Sequence, residues 1–166
     1  FLDSSFPMIY QLSMKGERNI AIRYSEYESI ESVLKMKDKV NKDVKHREYF
    51  RPFGPATIDE KYNDYFEKAA DSRYMIVNTM VKKESKAKIP AVVHVDDTVR
   101  IQSVNKKINS RYYQLIKKFG DLSGVYVLLN TSFNDKGMPM VCSPDDAIQC
   151  FIKTELNYLV IGDFLV

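Results

Sequence analysis

The period of the apolar positions changes repeatedly along the chain. Met8-Ile9-Tyr10-Gln11-Leu12 and Ile20-Ala21-Ile22-Arg23-Tyr24 predict two strands around the turn-forming Lys15-Gly16-Glu17. Ile30, Val33, Leu34 and Lys37 fall at helical spacing and predict a helix over 27–41. From Val44 to Phe53 the chain reads as extended, ending at Pro52 and Pro55. Tyr62, Tyr65, Phe66 and Ala69 recur at i, i+3, i+4 and i+7, which predicts a helix over 60–70 with Asp59 as its cap. A strand at 74–81 follows, and then the charged run 82–88, which reads as a solvated loop because short like-charged runs usually face water.

Strands at 90–95 and 99–104 flank the turn-like pair Asp96-Asp97. A helix starting at Asn109 or Ser110 carries Tyr112, Leu115, Ile116 and Phe119 on one face and is expected to stop at Gly120. Val125–Leu129 is almost continuously apolar, the pattern of a strand covered on both faces. A polar loop over 130–137 leads to a short strand at 139–142. Ser143-Pro144-Asp145-Asp146 then combines an N-cap serine, a proline at the first helical position and acids in the first turn. Apolar runs at 158–161 and 164–166 close the chain. Interleaved strands and helices with no internal repeat argue for one α/β domain around a mixed sheet.

Composition narrows the function classes. The chain has 166 residues, 45% hydrophobic and 28% charged, the balance of a globular domain that can bury its own core. A net charge of +3 suits anionic ligands without indicating nucleic acid. Cys142 and Cys150, eight residues apart, fit neither a zinc site nor a disulfide framework and read as buried thiols of a reducing cytosol. With His46 and His94 the only histidines, a His-rich metal centre is not expected. The chain has no apolar run of membrane-spanning length and no signal-peptide pattern, and a cytoplasmic location is expected; it begins at Phe1, as a fragment or processed chain would.

Three segments gather polar groups that a bare fold does not need. In an extended Lys45-His46-Arg47, Lys45 and Arg47 share a face away from His46. Two adjacent cations repel unless an anion lies between them, and a polyphosphate would suit an arginine fork beside a lysine point charge. A solvent-facing strand edge is the competing reading, and spacing alone favours it. The second segment, Asn130-Thr131-Ser132-Phe133-Asn134-Asp135-Lys136-Gly137, follows the apolar strand, where ligands of open α/β sheets tend to sit. Ser132 and Asn134 share a face there, with Phe133 turned into the core; an ordinary Asn/Ser turn explains the same residues. In the third, Thr98 projects with Arg100 and His94 with Asp96, a pair that a structural salt bridge explains as well as catalysis does. Neither GxxxxGK[ST] nor GxGxxG occurs, so any ATP binds by another route.

Taken in order, these segments resemble the C-terminal domain of the O-carbamoyltransferase family, which includes enzymes of nodulation-factor and antibiotic biosynthesis. The resemblance is carried by Val44-Lys45-His46-Arg47-Glu48-Tyr49-Phe50-Arg51-Pro52-Phe53-Gly54-Pro55 and by Pro90-Ala91-Val92-Val93-His94-Val95-Asp96-Asp97-Thr98-Val99-Arg100-Ile101-Gln102. It continues through Asn109 with Arg111-Tyr112-Tyr113, Val127-Leu128-Leu129-Asn130-Thr131-Ser132-Phe133-Asn134, Gly137, Pro139 and Val141, to the ending Ile161-Gly162-Asp163-Phe164-Leu165-Val166. It covers residues 35–166, with 1–34 matching weakly.

The resemblance implies a YrdC-like fold, a twisted mixed sheet with flanking helices, in which a KxR pair and an SxN pair line an ATP cavity. Those pairs are Lys45 with Arg47, the implied catalytic residues, and Ser132 with Asn134. Arg51, Thr98, Arg100, Asn130 and Lys136 are implied as further ATP or carbamoyl-phosphate contacts, with Asp96 a candidate magnesium ligand. The implied reaction dephosphorylates carbamoyl phosphate and joins the carbamate to AMP. Carbamoyl-adenylate then passes to an N-terminal ASKHA-type domain, or a separate chain, that carbamoylates a hydroxyl. This chain lacks that acceptor domain, and only Gly16-Glu17-Arg18-Asn19 and Arg23-Tyr24-Ser25 stand where the family has a glycine- and arginine-rich stretch. Two other readings remain: a threonylcarbamoyl-adenylate synthase-like enzyme, and a non-catalytic module binding nucleotide or RNA.

Overall fold

The computed structural model describes residues 37–67, 71–154 and 156–166, and the backbone of 8–11 and 19–23. The predicted helix over 27–41 falls largely outside the described residues, although 37–39 are helical. In chain order the strands are β1 (Met8–Gln11), β2 (Asn19–Arg23), β3 (Gly54–Ile58), β4 (Asn78–Met80), β5 (Thr98–Arg100), β6 (Gln102–Val104), β7 (Val127–Asn130), β8 (Tyr158–Ile161) and β9 (Phe164–Leu165). The α-helices are α1 (Tyr62–Tyr65), α2 (Ser110–Ser123) and α3 (Pro144–Lys153). The chain adopts the α/β class expected from its sequence, with parallel and antiparallel pairing both present. It divides into two compact units, one over Pro52–Leu129 and the other over Ser5–Arg51 with Asn130–Val166.

In the first unit β3 is the central strand of the order β6-β3-β7, and all five of its residues are buried. It runs parallel to β6, with Thr57 opposite Ser103, while the buried Thr57 hydroxyl donates to the Tyr126 carbonyl at 2.7 Å. A Cβ on Gly54 would stand 2.6 Å from the Arg100 carbonyl oxygen, so the strand start tolerates no side chain. Helix α2 begins at Asn109, whose side chain accepts from Tyr112 N–H at 3.3 Å. It buries Tyr112, Tyr113, Ile116, Phe119 and Gly120. β4 and β5 form a separate antiparallel pair, with Thr79 opposite Val99.

In the second unit β1-β2-β8-β9 make an antiparallel sheet. Helix α3 opens with the expected cap. Ser143 Oγ accepts from Asp146 N–H, and the Asp146 carboxylate accepts from Ser143 N–H at 3.0 Å.

Several expectations fail locally, each for a tertiary reason. The helix predicted over 60–70 lasts one turn, because Phe66 bridges to Val81 and Glu67 N–H donates to Met80 O at 3.0 Å. Asp59 does not cap it; its carboxylate accepts from Asn105 Nδ2 at 2.7 Å. The strand expected at 74–81 shrinks to Asn78–Met80, since Met75 sits at φ +57° and Tyr74 and Ile76 face solvent. The loop at 82–88 coils into a 3₁₀ helix over Lys83–Lys88, and Lys86 pairs with Asp97 at 2.6 Å. Pro90–Val92 is a 3₁₀ turn rather than strand, with proline at its first position. At 139–142 the chain forms no strand; Val141 N–H donates to Phe133 O at 3.1 Å.

Gly120 does not end α2. The helix continues to Ser123 and is closed by Gly124 at φ +77°. Gly120 is instead where the Tyr126 ring lies flat against the helix, in the space a Cβ would occupy. Gly120→Ala should therefore lower stability by about 1–3 kcal/mol despite alanine's better helix propensity. Urea denaturation checks this, and an unchanged or raised midpoint would refute the packing account.

Candidate functional site

The KxR segment is not extended. Val40–Val44 forms a π turn, in which Lys45 N–H reaches back to Val40 O at 2.9 Å. Arg47 N–H then reaches Asn41 O at 2.9 Å, and His46 between them adopts φ +46°. π turns are rare and frequently mark functional sites, and a left-handed histidine stores strain. Lys45 and Arg47 thus project from a tight turn, not from one face of a strand.

The SxN loop is anchored by Phe133, 3% exposed as expected of a core residue. Lys45, only 6% exposed, crosses to that loop. Its Nζ lies 2.9 Å from Ser132 O, 2.6 Å from Asn134 O, 2.7 Å from Asn134 Oδ1 and 3.4 Å from Ser132 Oγ. Ser132 Oγ donates to Asn134 Oδ1 at 2.7 Å, and Asn134 Nδ2 donates to Met138 O at 2.7 Å. Two segments almost ninety residues apart therefore close on one ammonium. Beside this bridge, His46 Nδ1 meets Asp135 Oδ1 at 2.6 Å, an oxygen that also accepts from Lys136 N–H. That pairing with His46 holds the Asp135 carboxyl below its usual range.

Burial, then the neighbouring Arg47 guanidinium, pull the Lys45 pKa down to about 8, although oxygens surround the ammonium. Arg47 Nε donates to Asn41 Oδ1 at 2.7 Å. Sequence reasoning passed over Asn41, which nothing in the sequence singled out. Cys150 is buried as expected, and its thiol is pushed up by burial and receives the Asp135 backbone N–H. Cys142, expected to be buried, is exposed. It stands just before the α3 cap, where its N–H donates to Asp146 Oδ2.

The other candidate residues are placed as follows. Asn130 is buried at the end of β7, and Arg51 and Lys136 are exposed, with Arg51 Nη1 3.7 Å from Glu48 Oε2. In the first unit Thr98 and Arg100 share a face of β5. Thr98 Oγ1 donates to Asp96 Oδ1 at 2.7 Å and lies 3.2 Å from His94 Nδ1, so His94 and Asp96 meet at one hydroxyl. That bond holds the Asp96 carboxyl below its usual range. Among the described residues no three His, Cys, Asp or Glu side chains gather as a metal site. Asp96 alone would hold magnesium only together with phosphate oxygens and water. No helix of the described residues is long and apolar enough to cross a membrane.

The profile of the carbamoyltransferase C-terminus matches residues 29–166. Nodulation protein NolNO of Sinorhizobium fredii is 41% identical over 134 residues, 78% of this chain and 20% of its own length. Nodulation protein NolO of Bradyrhizobium diazoefficiens is 40% identical, over 78% of this chain and 24% of its own length. An uncharacterized protein of Synechocystis is 40% identical over 79% of this chain and 25% of its own. The chain thus spans a quarter or less of the length of these curated relatives.

A lysine whose pKa falls from 10.5 to about 8 on folding releases its proton earlier in the folded than in the unfolded chain. Between those values the unfolded state holds more protons, so stability rises with pH across the window. Relative to Lys45→Met, the native chain should gain up to about 3 kcal/mol between pH 8 and 10.5. Parallel urea titrations of the two proteins check this; curves that stay parallel across the window would contradict it.

Proposed function

The chain belongs to the carbamoyltransferase C-terminal family, and on that premise we propose that it forms carbamoyl-adenylate from carbamoyl phosphate and ATP. The observation that carries this reading is the buried Lys45 ammonium, held by Ser132 and Asn134 with the Arg47 guanidinium beside it. Such a cation in a low-dielectric setting is poorly compensated by neutral oxygens. A polyphosphate would add the opposite charge that neutral oxygens cannot, and the gain is larger than in water.

In the proposed reaction, water first converts carbamoyl phosphate to carbamate and inorganic phosphate. A carbamate oxygen then attacks the α-phosphorus of ATP, the α–β P–O bond breaks, and pyrophosphate leaves with that bond's electron pair. Negative charge grows on the departing oxygen, where fixed cations stabilise the transition state more than the ground state. Lys45 and Arg47 supply that charge. Ser132 and Asn134 hold the ammonium in place, and the exposed Arg51 and Lys136 add to the anionic attraction. The product would pass to a separate acceptor-binding domain or chain that carbamoylates a hydroxyl.

The purified chain should bind ATP and release pyrophosphate only when carbamoyl phosphate is present. Lys45→Ala and Arg47→Ala should each weaken ATP binding by about tenfold or more, as loss of a charged contact does. Binding should also take up a proton near pH 8.5, since an added anion raises the Lys45 pKa. Calorimetry in buffers of different ionisation heat reads that uptake, which Lys45→Ala abolishes. A folded chain that neither binds ATP nor releases pyrophosphate would overturn the proposal. Release with threonine and bicarbonate in place of carbamoyl phosphate would redirect it.

A further inference from the structure

Asn41 is a polar side chain with no exposed surface, on the inside of the π turn that precedes Lys45. Every one of its described bonds goes to the turn that follows. Nδ2 donates to Tyr49 O at 3.0 Å and to Arg51 O at 2.9 Å, using both amide hydrogens. Oδ1 accepts from Arg47 Nε at 2.7 Å, and the Asn41 backbone carbonyl accepts from Arg47 N–H at 2.9 Å. One buried residue therefore holds Arg47 twice, its backbone carbonyl taking the Arg47 N–H and its amide oxygen the guanidinium. It also folds the turn over 47–51 around it, although Tyr49, Phe50 and Arg51 are exposed.

This arrangement exceeds what folding the turn would need. Two carbonyl acceptors would be satisfied by water at an exposed turn, and a polar side chain is costly to bury unless its bonds are made. The contact to Arg47 is charge-assisted and directional. It orients the plane of the guanidinium, the property that separates an arginine fork from a point charge. The π turn supplies the geometry, because its extra residue lets Asn41 face the segment after Lys45.

We infer that Asn41 is a positioning residue for anion binding, acting through Arg47; the inference rests on the nucleotide reading of this site. It sets the guanidinium beside Lys45 before ligand arrives, so the ordering of a long side chain is complete in the free protein. Asparagine is suited to the task because it donates twice and accepts once from one planar group. Aspartate keeps the grip on Arg47 but turns oxygens toward the Tyr49 and Arg51 carbonyls, and alanine loses all three side-chain bonds while keeping the backbone one.

The test is a double-mutant cycle on the full chain, read by ATP binding, with inorganic pyrophosphate as a second probe. Asn41→Ala should weaken ATP binding by about tenfold, the scale of a lost bond to a charged group. With Arg47→Ala already present, Asn41→Ala should add little, since it acts through the residue that is gone. Asn41→Asp should restore part of the affinity while remaining less stable than the native chain in urea. Circular dichroism and the urea midpoint confirm that each variant is folded; if Asn41→Ala does not fold, Asn41→Ser carries the cycle. Equal losses from Asn41→Ala in the presence and absence of Arg47 would mark Asn41 as merely structural and overturn the inference. If Arg47→Ala itself leaves ATP binding intact, the nucleotide reading fails. If Arg47→Ala weakens binding and the Asn41 variants do not, only the positioning role fails.

Discussion

The grip of one ammonium on one loop organises the second unit. Lys45 is too short of solvent to stay charged cheaply, and its neighbours answer with carbonyl and side-chain oxygens of Ser132 and Asn134. Three hydrogens on Nζ face four oxygens of that loop. The cost of burial is still felt in the lowered pKa. The lowered pKa marks a positive charge that its neutral oxygen partners compensate only in part.

The order around that ammonium is built from both sides. Upstream, the π turn and Asn41 set the path of the chain through Arg47 to Arg51. Downstream, Phe133 plugs into the core between Ser132 and Asn134, so that alternation fixes where the two polar neighbours go. The His46–Asp135 pair runs beside the Lys45 bridge and ties the residues next in sequence. Strain at His46, at φ +46°, is offset by these bonds. In the first unit the corresponding rigidity comes from buried backbone: β3 admits neither a side chain at Gly54 nor an unpaired hydroxyl at Thr57.

Much of this was legible in the sequence where a local rule agreed with the tertiary outcome. The α3 cap followed from Ser143-Pro144-Asp145-Asp146, and β7 from an unbroken apolar run. The pairing of Ser132 with Asn134 about a buried Phe133 followed from a period of two. Lys45 and Arg47 do not share the face of a strand as the period of two predicts, since they leave a tight turn. The helix over 60–70 was lost to pairing between Phe66 and Val81, a contact no window of sequence contains. Gly120 reads as a terminator in the sequence, whereas its missing Cβ makes room for Tyr126, and Gly124 ends the helix.

The sequence by itself determined the α/β class, the helix start at Ser143, the buried central strand and the family to which the chain belongs. Each of these depends on residues within a turn or two of one another, or on ordered motifs that can be read without coordinates. Only the tertiary structure decided that Lys45 spends its ammonium on Ser132 and Asn134, that Asn41 holds Arg47, and that His46 meets Asp135. The physical reason is that a long polar side chain chooses its partner by what burial brings within about 3 Å. For Lys45 and His46 that choice is made between segments almost ninety residues apart, where local propensity carries no information.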